Sequence, residues 1–457
     1  MISIILPIAQ HESKKKIKRC LDSLADLTTK NFEVIIITPT SVFKTFSSFF
    51  KNYPFINKIL TGEWNKSEAR NNGARKAKGQ YILNLDVDMQ LVPKLLAELT
   101  HRAQKGQLAI IPPLEVAKGV NFWGQCRALE RKLTDQSPIL RTPLFVKKSL
   151  LKKVGGYKPM FDPLDDWGLH LALKREKVKF YRCKNKISLW VSPTLKNSFQ
   201  RMYQRGQALP NLKQQYPQMK QIKISNKFKL YKKQWPLLFR SPGHSMGLFI
   251  LKLIDLVAFW WGTKHPRYPY QLTKTAITYD QKRLGTTFTR YKHFVELSSI
   301  IKLLGSTKGR ILELGCGTGR TTAELVKKGF SVTAVDPSQA MLRQFRQKKG
   351  LPKPILLKNK RLPFADNQFE HVISLRVIWH ILEKKERELF FSEAVRVAKT
   401  NVIMDFSIKN MGLNFLFKNG WQVNKKELKK ITKNNKLVIE ETKKLPLGRL
   451  LIRFKKC

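Results

Sequence analysis

Residues 310–320 read RILELGCGTGR, and residues 332–338 read VTAVDPS. The first stretch ends a short apolar run at Leu314 and follows it with Gly315, Gly317 and Gly319. Glycine has no Cβ, so such a turn lets the backbone approach a ligand at the start of the helix predicted to follow. The second stretch is a β-branched run ending in Asp336, whose carboxylate can accept hydrogen bonds from two ribose hydroxyls. Strand, Gly-rich turn, helix and acid-tipped strand, in that order, is how dinucleotide-binding folds hold an adenosine. Glu313 immediately precedes the turn.

Working outward, a second α/β pattern lies at the other end of the chain. Short apolar runs at 2–8 (ISIILPI) and 33–37 (EVIII) flank a Lys-rich helical stretch from Ser13 to Leu27. A strand at 81–85 follows a helix-like segment at 67–78, and alternation of this kind predicts a layered α/β domain containing a parallel sheet. Between the two patterns, residues 210–243 are rich in Pro, Gln and Lys and read as irregular or as isolated helical pieces. Then comes MGLFILKLIDLVAFWWG, Met246–Gly262, apolar apart from Lys252 and Asp255 and flanked by Lys264, His265 and Arg267. A spanning helix needs about 20 apolar residues, so a buried packing helix, a helix lying in a membrane interface and a span all stay open. The expected division is 1–240, an apolar helix and linker over 241–290 (the linker itself at 263–290), and 291–457.

Of 457 residues, 42% are hydrophobic and 26% charged, enough for two buried cores. Lys and Arg number 87 against 32 Asp and Glu, a net charge of +55. That field favours nucleic acid, nucleotide phosphates or acidic lipid headgroups, although Lys-rich solvated faces give the same count. Cys20, Cys126, Cys183, Cys316 and Cys457 form no CxxC pair, which fits a reducing, cytoplasmic compartment. MISIILPI is too short for the apolar region of an export signal.

In such a basic chain, clustered acids stand out. EARNNGARKAKGQYILNLDVDM (68–89) carries Arg70 and Asn71 on a helix and Asp86 and Asp88 beyond a strand. Carboxylates at i and i+2 past a strand end can serve one ligand, one on a ribose and one on Mg²⁺ or Mn²⁺. Asp165 and Asp166 precede an apolar helix, where either can also serve as an N-cap.

The ELGCGTG string resembles the first motif of class I S-adenosylmethionine-dependent methyltransferases more closely than a nicotinamide fingerprint. LPFADNQFEHVISLRVIWHI (362–381) is similar to the small-molecule branch of that family, and the likeness covers about 291–410. It implies a Rossmann-like domain in which Glu313, Gly315, Cys316, Gly317 and Gly319 line S-adenosylmethionine. Asp336 holds its ribose and Asn359 faces its adenine. Asn359 and Glu370 replace an acid and an Asp that the family usually carries. His380 stands where an acceptor-side histidine is common, or is a structural helix residue.

The 68–89 segment, with SIILPIAQHE (3–12) and VGGYKPMFDPLDDWGLHLAL (154–173), resembles family 2 inverting glycosyltransferases of the mixed-sheet GT-A fold over about 1–210. The resemblance implies donor binding by Pro7, Glu12, Arg70, Asn71 and Asp86, a divalent cation on Asp88, and an acceptor held by Asp165 and Asp166, with Asp166 as base. Thr38 and Pro39 occupy places where the family carries nucleobase-contacting Asp. SFQRMYQRGQAL (198–209) offers Arg201 and Arg205 to donor phosphates and lacks the Q-x-x-R-W of processive synthases.

Together these predict a two-domain α/β enzyme of cell-surface glycan assembly. It would use a nucleotide-sugar donor and a glycan or lipid-linked acceptor, at the inner membrane face. Two rivals remain. One is a methyltransferase with a non-catalytic glycan-binding first domain. The other is a nucleic-acid methyltransferase, disfavoured because the Asn/Asp-Pro-Pro-Tyr/Phe tetrapeptide of base-amine methylation is absent.

Overall fold

The computed structural model describes residues 1–134, 142–217, 234–306, 309–357, 359, 361–381, 384–408 and 422–456. The chain divides into two compact units, Met1–Tyr268 and Pro269–Cys457.

In the first unit, the β-branched runs form β1 (Ile2–Pro7) and β2 (Phe32–Thr38), parallel neighbours, with β2 buried along its whole length. Two buried faces explain why they read as continuous apolar runs rather than alternating ones. With β3 (Ile56–Thr61), β4 (Tyr81–Asn84), β6 (Ala109–Ile111), β8 (Phe145–Lys147) and β9 (Phe180–Arg182) they build a sheet of order β3-β2-β1-β4-β8-β6-β9. β8 is antiparallel to both β4 and β6, so the sheet is mixed. A small sheet, β5-β10-β7, joins β5 (Met89–Leu91), β7 (Leu114–Val116) and β10 (Ile187–Leu189).

The helices of this unit that position the site are α1 (Lys14–Ala25), α2 (Lys66–Lys76), α3 (Phe122–Thr134), α4 (Asp165–Arg175), α5 (Leu195–Gln215) and α6 (Pro242–Lys264). α2 starts with a capping box: Glu68 N donates to Asn65 Oδ1 at 2.9 Å, and Asn65 N donates to Glu68 Oε2 at 3.2 Å. It lies so close to the sheet that a Cβ on Gly73 would stand 2.6 Å from Ile5 Cγ2. α6, the apolar helix, packs within this unit on α5 and α3.

The second unit opens with short helices α7 (Thr273–Ile277) and α8 (Tyr279–Leu284), then α9 (Thr287–Leu304). The stretch 263–290, expected as a linker, is thus mostly helical: Ala276 is buried with Ala340 and Met341 in a core of this unit. Its sheet has the order β13-β12-β11-β14-β15-β17-β16, from β11 (Ile311–Leu314), β12 (Val332–Asp336), β13 (Ile355–Leu356), β14 (Phe369–Ser374), β15 (Ala398–Ser407), β16 (Leu437–Leu445) and β17 (Arg449–Lys456). The first five strands are parallel and β17 is antiparallel to β15. Strand order reverses between β11 and β14, which places the ligand crevice of a doubly wound sheet at the end of β11. That is where the Gly-rich turn leads into α10 (Arg320–Lys327).

Candidate active sites

In the first unit, Arg70 is the organising residue. It is 1% exposed, yet its guanidinium reaches three acids from two segments of the chain. Nη1 donates to Asp166 Oδ1 at 2.6 Å and to Asp165 Oδ2 at 3.1 Å, and Nη2 donates to Asp86 Oδ1 at 3.1 Å. The Tyr157 ring lies 4.9 Å from the guanidinium carbon. Lys66 Nζ donates to Asp86 Oδ2 at 2.7 Å, so both oxygens of Asp86 meet cations. Burial would raise the Asp86 pKa, but Lys66 and Arg70 overcome it and hold the carboxyl well below its ordinary value.

Among the described residues, no cation pairs with the Asp88 carboxylate in this way. Burial, then repulsion from Asp86, pushes it up to about 6. A desolvated carboxylate beside a second acid is what a divalent cation relieves, so Asp88 fits the expected cation. Among the described residues no group of three His, Cys, Asp or Glu is placed to hold a metal unaided. The remaining oxygen ligands would therefore come from donor phosphates and water.

Asp165 and Asp166 lie in the first turn of α4, whose N-cap is Leu164, so neither serves as the cap. Their environments differ: the side chain of Asp165 is 3% exposed and that of Asp166 is 38% exposed. Burial, then Asp166, raises the Asp165 pKa against the pull of Arg70. Asp166 is the acid of the pair that solvent reaches.

Asn71 is placed differently from a donor ligand. Its Nδ2 donates to Tyr157 O at 2.7 Å and its Oδ1 accepts from Tyr157 N at 2.9 Å, fixing the loop before α4. Pro7 ends β1, and Glu12 pairs with Lys16 at 3.0 Å. Thr38 is 1% exposed, and its hydroxyl is buried without a hydrogen-bond partner. Arg201 and Arg205 on α5 are desolvated cations whose pKa values burial lowers, with Asp88 among the acids felt by Arg201 and Asp166 among those felt by Arg205. Lys66 and Tyr157 were invisible as site residues in the sequence, because only the fold brings them to Asp86 and Arg70.

In the second unit, Gly315, Gly317 and Gly319 all have positive φ, at 79°, 56° and 77°. A Cβ on Gly315 would overlap Val377 and one on Gly319 would stand 2.5 Å from Phe345, whereas Gly317 faces open space. Asp336 holds the turn from the next strand: Gly317 N donates to Oδ2 at 2.9 Å, and Ser338 N donates to Oδ1 at 2.7 Å. Burial pushes Asp336 up to about 6 against these two amides. Glu313 lies behind the turn, bonded to the Thr322 hydroxyl and pushed by burial up to about 7. Cys316 is buried, with its amide on Val335 O at 3.0 Å, and Asn359 is exposed.

His380 lies in a short 3₁₀ turn, its Nε2 3.1 Å from Trp379 Nε1 and 3.1 Å from Tyr270 Oη. An indole nitrogen only donates, so Nε2 is the acceptor and the ring proton sits on Nδ1. Burial, then Arg283, pushes His380 down to about 4 and keeps it neutral.

Comparison with known proteins matches one family to each unit. The glycosyl transferase family 2 profile matches residues 3–152, and a methyltransferase domain profile matches residues 312–404. An uncharacterized glycosyltransferase of Haemophilus influenzae is 28% identical over 188 residues, 38% of this chain and 63% of that protein. A putative methyltransferase, YqeM, of Bacillus subtilis is 31% identical over 137 residues, 29% of this chain and 53% of that protein. Demethylmenaquinone methyltransferase of Tropheryma whipplei is 29% identical over 140 residues, covering 29% and 56%. The chain thus spans between 53% and 63% of the lengths of these relatives. Among solved structures, magnesium protoporphyrin IX methyltransferase from Synechocystis with bound SAH aligns at 20% identity and a TM-score of 0.33, covering 38% of this chain and 88% of that one. The chain joins a family 2 glycosyltransferase domain to a class I S-adenosylmethionine-dependent methyltransferase domain.

Proposed function

We propose that the first unit transfers a sugar from a nucleotide-activated donor to a hydroxyl of a glycan or lipid-linked acceptor, with inversion. The observation that carries this reading is the convergence of Asp86, Asp165 and Asp166 on the buried guanidinium of Arg70. Asp166, the exposed member, takes the acceptor proton as the oxygen attacks the sugar carbon. Asp86 faces the donor ribose, and Lys66, Arg201 and Arg205 supply positive charge toward its diphosphate. Asp88 would hold a Mg²⁺ or Mn²⁺, which supplies charge neutralisation at the departing diphosphate. The deciding experiment is release of nucleoside diphosphate across a panel of nucleotide sugars with Mn²⁺, for wild type and Asp88→Ala. Release that disappears in the variant supports the reading. No release with any donor favours the second reading, a non-catalytic glycan-binding domain, which Thr38 and Pro39 in place of nucleobase-contacting Asp support.

The second unit, on the same proposal, methylates a glycan or related small molecule in cell-surface glycan assembly. Asp336 orients the cofactor ribose and the Gly317 backbone leaves room for it, so positioning provides much of the rate. His380, whose Nε2 lone pair is already taken by Trp379 Nε1, is a structural residue in this reading and not the base.

The reading includes contact with an anionic membrane from the cytoplasmic side, and α6 supports it by the sense of its polarity. Met246, Phe249, Leu253, Leu256, Val257 and Trp260 recur at helical spacing and are each 48–62% exposed. The mid-helix charges, Lys252 and Asp255, turn inward instead. Asp255 accepts from Arg127 Nη1 and Nη2, both at 2.7 Å, and Lys252 donates to Glu130 at 2.6 Å. A helix with paired ions inside and an apolar stripe outside suits the acyl–headgroup boundary, and the exposed Lys264 and His265 at its end suit anionic lipid.

A further inference from the structure

Beyond the cofactor turn, the second unit gathers cations on the other half of its sheet. Arg376 follows β14 with φ at +58°, a backbone conformation that a side-chain-bearing residue keeps only when its surroundings enforce it. Its amide donates to Asp405 Oδ1 at 2.7 Å, and its Nε and Nη2 donate to Glu296 at 3.0 and 2.5 Å. Arg449, at the start of β17, donates Nη1 to Asp405 Oδ2 at 2.8 Å and Nη2 to Glu296. Both acids are 1% exposed, and both oxygens of each are taken by these two arginines.

That leaves cationic hydrogen-bonding capacity unmet. Arg376 has a side chain 10% exposed and a buried Nη1 with no partner. Arg320, the first residue of α10, has both Nε and Nη1 buried without a partner. Burial, then Arg376, works against its charge, with Arg283 adding to the repulsion. A guanidinium N–H buried without an acceptor is costly, and planar N–H pairs match an oxyanion better than any other ligand.

We infer that Arg320 and Arg376 receive an oxyanion, carboxylate or phosphoryl, carried by the methyl acceptor. This rests on the methyltransferase reading and names the acceptor class for that site. The placement favours the acceptor over the cofactor. Asp336 ends β12, on one side of β11, whereas Arg376, Asp405 and Arg449 belong to β14, β15 and β17 on the other. The two halves meet where Val377 packs against Gly315, so a group held by Arg376 lies beside the cofactor turn.

Arg320 is the residue to change, because replacing Arg376 would also strip Glu296 of one of its two arginine partners and report mainly on folding. The experiment titrates S-adenosylhomocysteine into wild type, Arg320→Gln and Arg320→Lys by calorimetry, and then titrates inorganic phosphate into each loaded protein. The expected result is S-adenosylhomocysteine affinity within threefold across all three, with phosphate bound by wild type, partly by Arg320→Lys, and at least tenfold more weakly by Arg320→Gln. Equal phosphate affinity in wild type and Arg320→Gln, or none in wild type, overturns the inference. A tenfold loss of S-adenosylhomocysteine in Arg320→Gln, with 5′-methylthioadenosine unaffected, also overturns it by assigning the oxyanion to the cofactor's own carboxylate. Wild type that binds no S-adenosylhomocysteine sinks the methyltransferase reading itself, a distinct failure.

Discussion

Arg70 Nη1 lies 2.6 Å from Asp166 Oδ1, so the acid reached by solvent is tethered to the guanidinium that also holds Asp86 and Asp165. Truncation to Ala leaves three acids facing one another, two of them largely buried. Arg70→Ala is expected to lose about 3–5 kcal/mol, the loss typical of breaking a buried ion pair from one side. Arg70→Lys recovers only part of it, because an ammonium cannot span all three carboxylates. Urea denaturation of the two variants measures both effects.

Asp88 gives a pH signature. Its folded pKa of about 6 lies above the ordinary 3.8, so the folded protein binds the extra proton between those values. Stability contributed at this site therefore falls as pH rises from about 4 to 6 and stays reduced above that. Asp88→Asn is expected to be more stable than wild type at pH 8, by at most about 3 kcal/mol at 1.36 kcal/mol per pKa unit, and equal to it near pH 4. The same variant is expected to release no nucleoside diphosphate. Denaturation at the two pH values, with the release assay alongside, tests whether stability and function oppose each other here.

Asp336→Ala removes the acceptor of the Gly317 and Ser338 amides as well as the ribose contact. S-adenosylhomocysteine affinity is expected to fall by about tenfold to a hundredfold, as for losing hydrogen bonds to a charged group. Calorimetry reads this directly, and an unchanged affinity would remove Asp336 from the cofactor site.

The outward stripe of α6 predicts sedimentation with vesicles containing a third phosphatidylglycerol, weaker sedimentation with phosphatidylcholine alone, and release by salt. Leu256→Glu with Trp260→Glu, both on the exposed face, is expected to reduce vesicle binding at least tenfold without shifting the melting temperature. Self-association that the double variant abolishes, with no vesicle binding by wild type, would reassign the stripe to a second copy of the chain.

Gly262 tests the crossing beneath that stripe. A Cβ there would overlap the Tyr203 carbonyl, and one on Gly206 would stand 2.9 Å from Gly262 Cα. Gly262→Val should force α5 and α6 apart and lower the melting temperature of the first unit, whereas Gly243→Ala, with no neighbour within 4 Å, should not.

Both folds were legible because each depended on local pattern. The glycines at 315, 317 and 319 and the strand-ending Asp336 are close in sequence and close in space. What escaped the sequence is long-range. Nothing local in ARNNG distinguishes Arg70, which gathers three acids, from Asn71, which is spent on the Tyr157 backbone 86 residues away. The acids at 165 and 166 read alike as caps or ligands, and only burial separates them. The stretch 263–290 read as a linker because its helices are too short to show a helical period, yet Ala276 is part of a core. The inward turn of Lys252 and Asp255 depended on Arg127 and Glu130, which lie on another helix.

The bond from Gly317 N to Asp336 Oδ2 also bears on time. It shapes the turn before any ligand arrives, so little backbone ordering remains to be done during binding. Association of the cofactor should then run near the encounter rate and show a single kinetic phase. Variants of the turn would change chiefly how long the nucleoside stays.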